Sequence, residues 1–200
     1  MQAPKARALP FAPIRQHRLV NGWPPVWWVG CHGGAGATTL AAVTGLGADV
    51  GGAWPVAPPG WPPAQVVLVC RATALGVLAA TAAVEQWRRG AAPPGTRVLG
   101  VVVVAASARR PPRRALERVR LLAGWVPALW RVRWVEEYLA ADNPRDLGVP
   151  PEVAAMRHHL STQLAPERGP GLVTRAAPSQ HPQPTTKPTE ANRRTERIPQ

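Results

Sequence analysis

Cysteine is scarce in this sequence, and its scarcity excludes two classes of small protein. Cys31 and Cys70 are the two cysteines among 200 residues, and they do not stand at a metal-ligand spacing. A disulfide scaffold and a zinc finger are therefore excluded, and free thiols suit a reducing compartment. The N-terminal stretch has no secretory hydrophobic region, so we predict a cytoplasmic protein.

A hydrophobic run of membrane-spanning length is also missing. The longest apolar stretch, from Val66 to Val84, is interrupted by Arg71. At that residue the pattern changes from β-branched side chains, which favour a strand, to an alanine-rich helical segment. A strand followed by a helix explains the stretch, and we predict no membrane span.

Acidic residues are few, with 11 of them against 24 basic residues and a formal net charge of +13. Two interpretations stay open. GC-rich coding produces an arginine-rich composition without any partner, whereas a net charge of this size also favours binding to nucleic acid. The densest basic cluster either forms a solvated loop or contacts a phosphate backbone; it comprises Arg109, Arg110, Arg113 and Arg114.

The distribution of apolar residues predicts one domain with two tails. The 25 prolines and 18 glycines limit regular structure, and the apolar residues are gathered between Trp27 and Leu160. We therefore predict a disordered, basic and proline-rich tail over 1–24, a folded domain over 25–160, and a second disordered tail over 161–200.

Apolar runs typical of strands alternate with helical segments inside this domain. The predicted strands are Val26–Val29, Gln65–Cys70, Arg97–Val104 and Ala128–Val135. The predicted helices are Thr38–Val43, Ala72–Arg89 and Pro112–Ala123. Alternating strands and helices with unbroken apolar strands predict an α/β fold with a small, mostly parallel sheet of about four strands and flanking helices.

The segment that carries chemistry lies between the first strand and the first helix. It reads Gly30-Cys31-His32-Gly33-Gly34-Ala35-Gly36-Ala37-Thr38-Thr39. Glycines at this spacing allow successive backbone amides to face an anion, and the following helix adds the positive end of its dipole. The segment predicts a phosphate-binding loop rather than a plain turn.

This segment resembles the deviant Walker A loop of the MinD/ParA family of P-loop ATPases, whose motif reads K-G-G-x-G-K-[ST]-T. The resemblance implies a contracted P-loop fold and a nucleotide site for ATP or ADP with Mg²⁺, in which Thr38 is the metal-ligating hydroxyl. His32 and Ala37 stand where the family has its two lysines. The residues that the resemblance assigns to the cofactor are His32, Gly33, Gly34, Ala35, Gly36, Ala37, Thr38 and Thr39.

A second departure from the family lies between Thr39 and Gln65. This interval is too short for the switch I and Walker B elements, and Asp49 is its single carboxylate, which we interpret as at most a switch I remnant. Losing the loop lysine and the metal-holding carboxylate removes most of what accelerates phosphoryl transfer. We therefore predict no catalytic residues.

The sequence predicts a non-hydrolysing, P-loop-derived binding or adaptor protein that resembles partition ATPases and binds nucleotide or phosphate weakly or not at all. Two alternatives stay open. One is an active ATPase whose missing cation comes from Arg71 or from a second subunit. The other is a basic DNA-binding accessory protein. The sequence identifies no protein partner and leaves homodimer formation open.

Overall fold

The structure is a computed structural model, and it describes residues 24–164. The predicted tails lie outside the described residues, apart from Pro24 and residues 161–164. The elements in chain order are β1 (Trp27–Gly30), α1 (Ala37–Thr44), β2 (Ala48–Asp49), β3 (Ala64–Arg71), α2 (Ala74–Arg88), β4 (Thr96–Val104), α3 (Arg113–Ala123), β5 (Leu129–Val132), α4 (Glu137–Ala140), a 3-10 turn (Pro144–Asp146) and α5 (Pro151–Leu164).

The five strands form one parallel sheet in the order β2-β1-β3-β4-β5. The central strands β3 and β4 are the longest, and every residue from Val66 to Cys70 is buried. Strands covered on both faces have no polar side to present, which explains why β3 and β4 read as unbroken apolar runs. The predicted α/β fold with a parallel sheet is confirmed.

Helices cover both faces of the sheet. Side chains of α2 and α3, such as Val77 and Leu122, pack with one set of strand residues. Side chains of α1 and α5, such as Leu40 and Met156, pack with the other set. The result is a three-layer arrangement in which the glycine-rich loop and the other strand-to-helix connections leave the sheet at its carboxyl edge.

The sheet has five strands instead of about four because the two-residue strand β2 adds to the edge beside β1. The backbone of Ala48 donates to the Val26 carbonyl at 2.9 Å, and Val50 donates to Trp28 at 3.1 Å. Gly47, at φ +83°, brings the chain so close that a Cβ there would lie 1.9 Å from the Val26 oxygen. Close backbone approach through glycine, rather than a β-branched run, forms this strand, so the apolar pattern did not reveal it.

The opposite edge is formed by β5, which was predicted over Ala128–Val135 and spans Leu129–Val132. It pairs with β4 alone among the described strands. Gly100 in β4 makes this pairing tight, because a Cβ there would lie 2.5 Å from both the Ala128 carbonyl and the Trp130 ring. The indole of Trp130 therefore lies across the backbone of β4.

The last helix, α5, ends at Leu164, four residues beyond the predicted domain boundary at residue 160. Val153, Met156 and Leu160 are fully buried, at the spacing that places side chains on one face of a helix. Within residues 24–164, no helix combines the length and apolar character needed to cross a bilayer. The Val66–Val84 run divides between β3 and α2, as predicted.

Candidate phosphate-binding site

The glycine-rich loop connects β1 to α1 and borders a cavity of about 440 Å³. The amide of Cys31 donates to the Val69 carbonyl at 2.8 Å, which fixes the start of the loop on β3. Gly34 and Gly36 adopt φ values of +70° and +100°, which side chains other than glycine disfavour. The loop thus turns back on itself and directs the N-terminus of α1 toward the cavity.

Thr38 and Asp49 meet at the wall of this cavity. The Thr38 hydroxyl donates to Oδ2 of Asp49 at 2.5 Å, and the Gly51 amide donates to Oδ1 at 2.8 Å. Because β2 lies next to β1, Asp49 stands at the carboxyl end of the strand beside the loop. A loop hydroxyl beside a strand-end carboxylate is the pair that holds Mg²⁺ in P-loop NTPases.

Asp49, interpreted from the sequence as at most a switch I remnant, is the carboxylate in this contact. The short interval between Thr39 and Gln65 places a carboxylate against the loop hydroxyl. The sequence signal was a single aspartate eleven positions after Thr38, in a segment without a strand-like pattern. Only the pairing of β2 with β1 shows that the two side chains meet.

The two positions that correspond to lysines of the MinD/ParA loop are Ala37 and His32, and neither carries a lysine here. Ala37, the first residue of α1, is buried in the core cluster and also lines the cavity. The ring of His32 is held by two backbone groups: Nδ1 donates to the Gly33 carbonyl at 2.8 Å, and Nε2 accepts from the Arg71 amide at 3.0 Å. This pattern requires the neutral tautomer with its proton on Nδ1.

Arg71 holds the loop from outside the cavity. Its Nε donates to the Gly34 carbonyl at 3.0 Å, and its Nη1 donates to the Ala105 carbonyl at 2.9 Å. The guanidinium carbon also lies 5.9 Å from the centre of the Trp134 ring. Arg71 therefore ties the loop to the end of β4 and does not line the 440 Å³ cavity.

Thr39 is the one predicted cofactor residue that the structure separates from this cavity. The other seven, from His32 to Thr38, line it. Thr39 lines a smaller cavity of about 80 Å³, which it shares with Arg71, Trp134 and Tyr138. Gly36 borders both spaces.

Both cysteines are buried beside the loop. Cys31 follows β1, and Cys70 lies near the end of β3 in the same core cluster. Burial raises the pKa of Cys70 to about 12. Burial raises the pKa of Cys31 well above its ordinary value. The negative charge that Cys70 carries when ionised raises it further. The two thiols are therefore protonated at neutral pH and unreactive.

The four predicted nucleic-acid arginines lie together between β4 and α3. Arg109 and Arg110 are in the connecting loop, Arg113 and Arg114 open α3, and all four are exposed. Among residues 24–164, none of them forms an ion pair. Positive charge in the first turn opposes the helix dipole, so these arginines do not stabilise α3.

The metal-binding capacity of the described chain is small. Across residues 24–164, no group of three or more His, Cys, Asp or Glu side chains could hold a metal ion. Thr38 and Asp49 would therefore need phosphate oxygens and water to complete a magnesium site.

Comparisons with known proteins find little that is similar to this chain. No protein-family model and no curated protein matches the chain. A solved structure with weak similarity is the crystal structure of a mutation variant of SsGBP, at 15% identity and a TM-score of 0.37. The match covers 72% of this chain and 58% of the SsGBP variant, so this chain spans less than two thirds of the length of the SsGBP variant. A TM-score of this size establishes neither fold family nor function.

Proposed function

We propose that the chain is a non-hydrolysing, P-loop-derived binding or adaptor protein that takes the phosphate groups of a Mg²⁺-nucleotide at its glycine-rich loop. The observation that carries the proposal is the contact between the Thr38 hydroxyl and the Asp49 carboxylate at the wall of the loop cavity. A P-loop ATPase needs this pair for its metal.

Phosphate binding is supported by the backbone of the loop. The left-handed glycines Gly34 and Gly36 precede an eight-residue helix whose first amides have no partner within the helix. Such amides and the helix dipole both favour a bound anion. The dipole alone contributes about 0.3–1 kcal/mol. The cavity of about 440 Å³ is of the size typical for small-molecule sites.

Magnesium fits the donors on the wall of the site. Thr38 and Asp49 offer hydroxyl and carboxylate oxygens, which are the hard ligands that Mg²⁺ prefers. When bound, the ion would neutralise the charge of the phosphates. Thr38 and Asp49 would orient it, and the loop amides would hold the phosphate oxygens.

Hydrolysis is disfavoured because the cavity lacks a cation. Alanine stands at position 37, both ring nitrogens of His32 bond backbone groups, and Arg71 is bonded to carbonyls outside the cavity. Removing one charge-stabilising contact from a transition state costs about 2.7–4 kcal/mol, or roughly a hundred- to a thousandfold in rate. The absence of both lysines therefore leaves binding without turnover.

Calorimetric titration of the full chain with ADP and ATP, each with and without Mg²⁺, tests the proposal. We expect Mg²⁺-dependent binding that Thr38→Ala weakens and Thr81→Ala preserves. Thr81 is a matched control because its hydroxyl bonds the Val77 carbonyl within α2, away from the loop. Absence of binding for both ADP and ATP would refute the proposed function.

The two other functions make different predictions. An active ATPase would show turnover that Thr38→Ala abolishes, with Arg71 swinging inward or a second subunit supplying the cation. A DNA-binding accessory protein is favoured by one observation, the exposure of Arg109, Arg110, Arg113 and Arg114 without ion pairs in the described part of the chain. Its DNA binding would be independent of Thr38.

A further inference from the structure

An apolar groove lies between α3 and the carboxyl edge of the sheet, apart from the glycine-rich loop. Its volume is about 310 Å³. Pro111, Leu116 and Val119 line one side, while Val103 from β4 and Val132 from β5 line the sheet side. The lining is far more apolar than that of the loop cavity, which suits an apolar side chain better than a phosphate.

An arginine rim adjoins this apolar floor: one of its four exposed arginines lines the groove, and the other three lie within two residues of a lining residue along the chain. Arg131 lines the groove and is exposed, and Arg110, Arg113 and Arg114 are exposed neighbours of the lining residues along the chain. Within residues 24–164, none of these four forms an ion pair. The one carboxylate in the lining, Glu152, is already engaged: it lies 3.5 Å from Nε of Arg133 and accepts from the Arg133 amide at 3.1 Å.

We propose that this groove binds an acidic peptide segment of another protein. An apolar side chain of the segment would fill the space between Leu116 and Val103, and flanking carboxylates would face the arginine rim. Buried apolar contact supplies affinity in such an arrangement, and complementary charge supplies steering and specificity. This surface is independent of the proposed nucleotide site.

Charge argues against the other occupants. A second copy of the chain carries the same net charge of +13 and would be repelled. The segments 1–24 and 165–200 each contain more basic than acidic residues, so neither complements the rim. A nucleic acid would satisfy the arginines but would leave the apolar floor without a matching group.

Selection from a random dodecapeptide display library against the full chain tests the proposal. We expect enriched peptides that combine aspartate or glutamate with a bulky apolar residue. An enriched peptide is then synthesised with a fluorophore and titrated against the chain at physiological ionic strength. Its affinity should fall at least about tenfold when its apolar residue is changed to serine. That readout does not depend on the folding of any variant.

Variants of the chain locate the site. Leu116→Glu places a carboxylate in the groove and should weaken the peptide at least about tenfold, whereas Leu121→Glu should leave its affinity unchanged. Leu121 is a matched control because it lies on the same helix, is 68% exposed and does not line the groove. Arg131→Gln should weaken binding several-fold, while Arg120→Gln, an exposed residue of α3 outside the lining, should not.

Three outcomes would overturn the proposal. The first is that no acidic and apolar peptides are enriched. The second is an equal loss of affinity for Leu116→Glu and Leu121→Glu. The third is a short DNA duplex that displaces the peptide and depends on Arg131 but not on Leu116, which would identify the rim as a nucleic-acid surface instead.

Discussion

The imidazole of His32 accepts a hydrogen bond from the backbone nitrogen of Arg71 at 3.0 Å, which makes this side chain part of the scaffold of the loop. The ring also occupies space beside α2, where a Cβ on Gly76 would lie 2.9 Å from Nε2. A lysine at this position would lose both ring contacts. The bonds of His32 and Arg71 to backbone groups thus hold the loop in place, while Thr38 and Asp49 meet at the wall of the cavity.

Asp49→Asn should remove the magnesium dependence of nucleotide binding. The amide keeps the shape of the side chain but loses the charge that complements the metal. We expect ADP affinity with Mg²⁺ to fall by roughly ten- to a hundredfold, the usual cost of losing a group that orients a metal, while affinity without Mg²⁺ stays unchanged. Calorimetry measures both, with the exposed Asp142→Asn as a charge-matched control. An equal loss of affinity with and without Mg²⁺ would assign Asp49 a purely structural role.

Ala37→Lys should strengthen phosphate binding without creating an ATPase. The new ammonium would reach the phosphates from the first residue of α1, which lines the cavity. We expect roughly tenfold tighter ADP binding, equivalent to about 1.4 kcal/mol, and phosphate release at background because His32 still supplies no second cation. The control is Ala42→Lys, on the same helix and outside the cavity. Rapid hydrolysis by Ala37→Lys would show that a single lysine was the missing element.

Sequence patterns predicted the central part of this fold well because burial leaves a strong signal. The unbroken apolar strands β3 and β4 and the alanine-rich helix α2 were all predicted, with bounds that differ by one or two residues. The predicted domain ended at residue 160, four residues before the end of α5, because the last turn adds only the partly buried Leu164 to the apolar pattern.

The candidate site was predicted only in part, because its chemistry depends on a contact between distant residues. Glycine spacing identified the loop itself. The partnership of Thr38 and Asp49 depends on β2, a strand formed by backbone bonds to β1 at a glycine, and two residues leave no periodic pattern. Likewise, no spacing rule places Arg71 on the Gly34 carbonyl, because that contact follows from strand order.

Gly47→Ala should destabilise the protein much more than Gly51→Ala. Both glycines have left-handed backbones, at φ +83° and +71°, which cost a non-glycine residue about 1–2 kcal/mol. A Cβ at Gly47 would also collide with the backbone of Val26, whereas one at Gly51 meets open space. Urea denaturation should therefore give a loss of stability near the strain cost alone for Gly51→Ala and a clearly larger one for Gly47→Ala. Equal losses would contradict the close approach of β2 to β1.

Stability should fall with rising pH in the alkaline range because of the buried thiols. Folding raises the pKa of Cys70 to about 12 and that of Cys31 in the same direction. Below the unfolded-state pKa of about 8.5, both states keep their protons and the contribution to stability is complete. As pH rises from there toward the folded-state pKa, only the unfolded chain releases protons, and stability declines by up to about 1.4 kcal/mol per pH unit for each thiol.

Denaturation midpoints measured between neutral pH and about pH 10 test this decline, since that range crosses the free thiol pKa of about 8.5. The combined Cys31→Ala and Cys70→Ala variant should show a shallower decline. Tyr138 is the other described group with a raised pKa, because burial and then the charges of Glu152 and Glu137 raise it. Tyr138→Phe is therefore the control. An unchanged slope in the cysteine variant would exclude the thiols as its cause.

Neutralising the arginine cluster should distinguish a dedicated polyanion site from diffuse basic charge. If Arg109, Arg110, Arg113 and Arg114 contact phosphates, duplex DNA should bind without sequence preference. Changing all four to glutamine should then lower the slope of log K against log salt by about 0.9 for each phosphate that is no longer neutralised.

The comparison is a deletion of the C-terminal segment that carries Arg193, Arg194 and Arg197. Because the four cluster arginines are exposed and form no ion pair within residues 24–164, a dedicated site predicts the larger reduction in DNA affinity for the cluster variant. Equal reductions from both changes would instead assign DNA binding to overall composition, and no binding near physiological salt would remove nucleic acid as a partner.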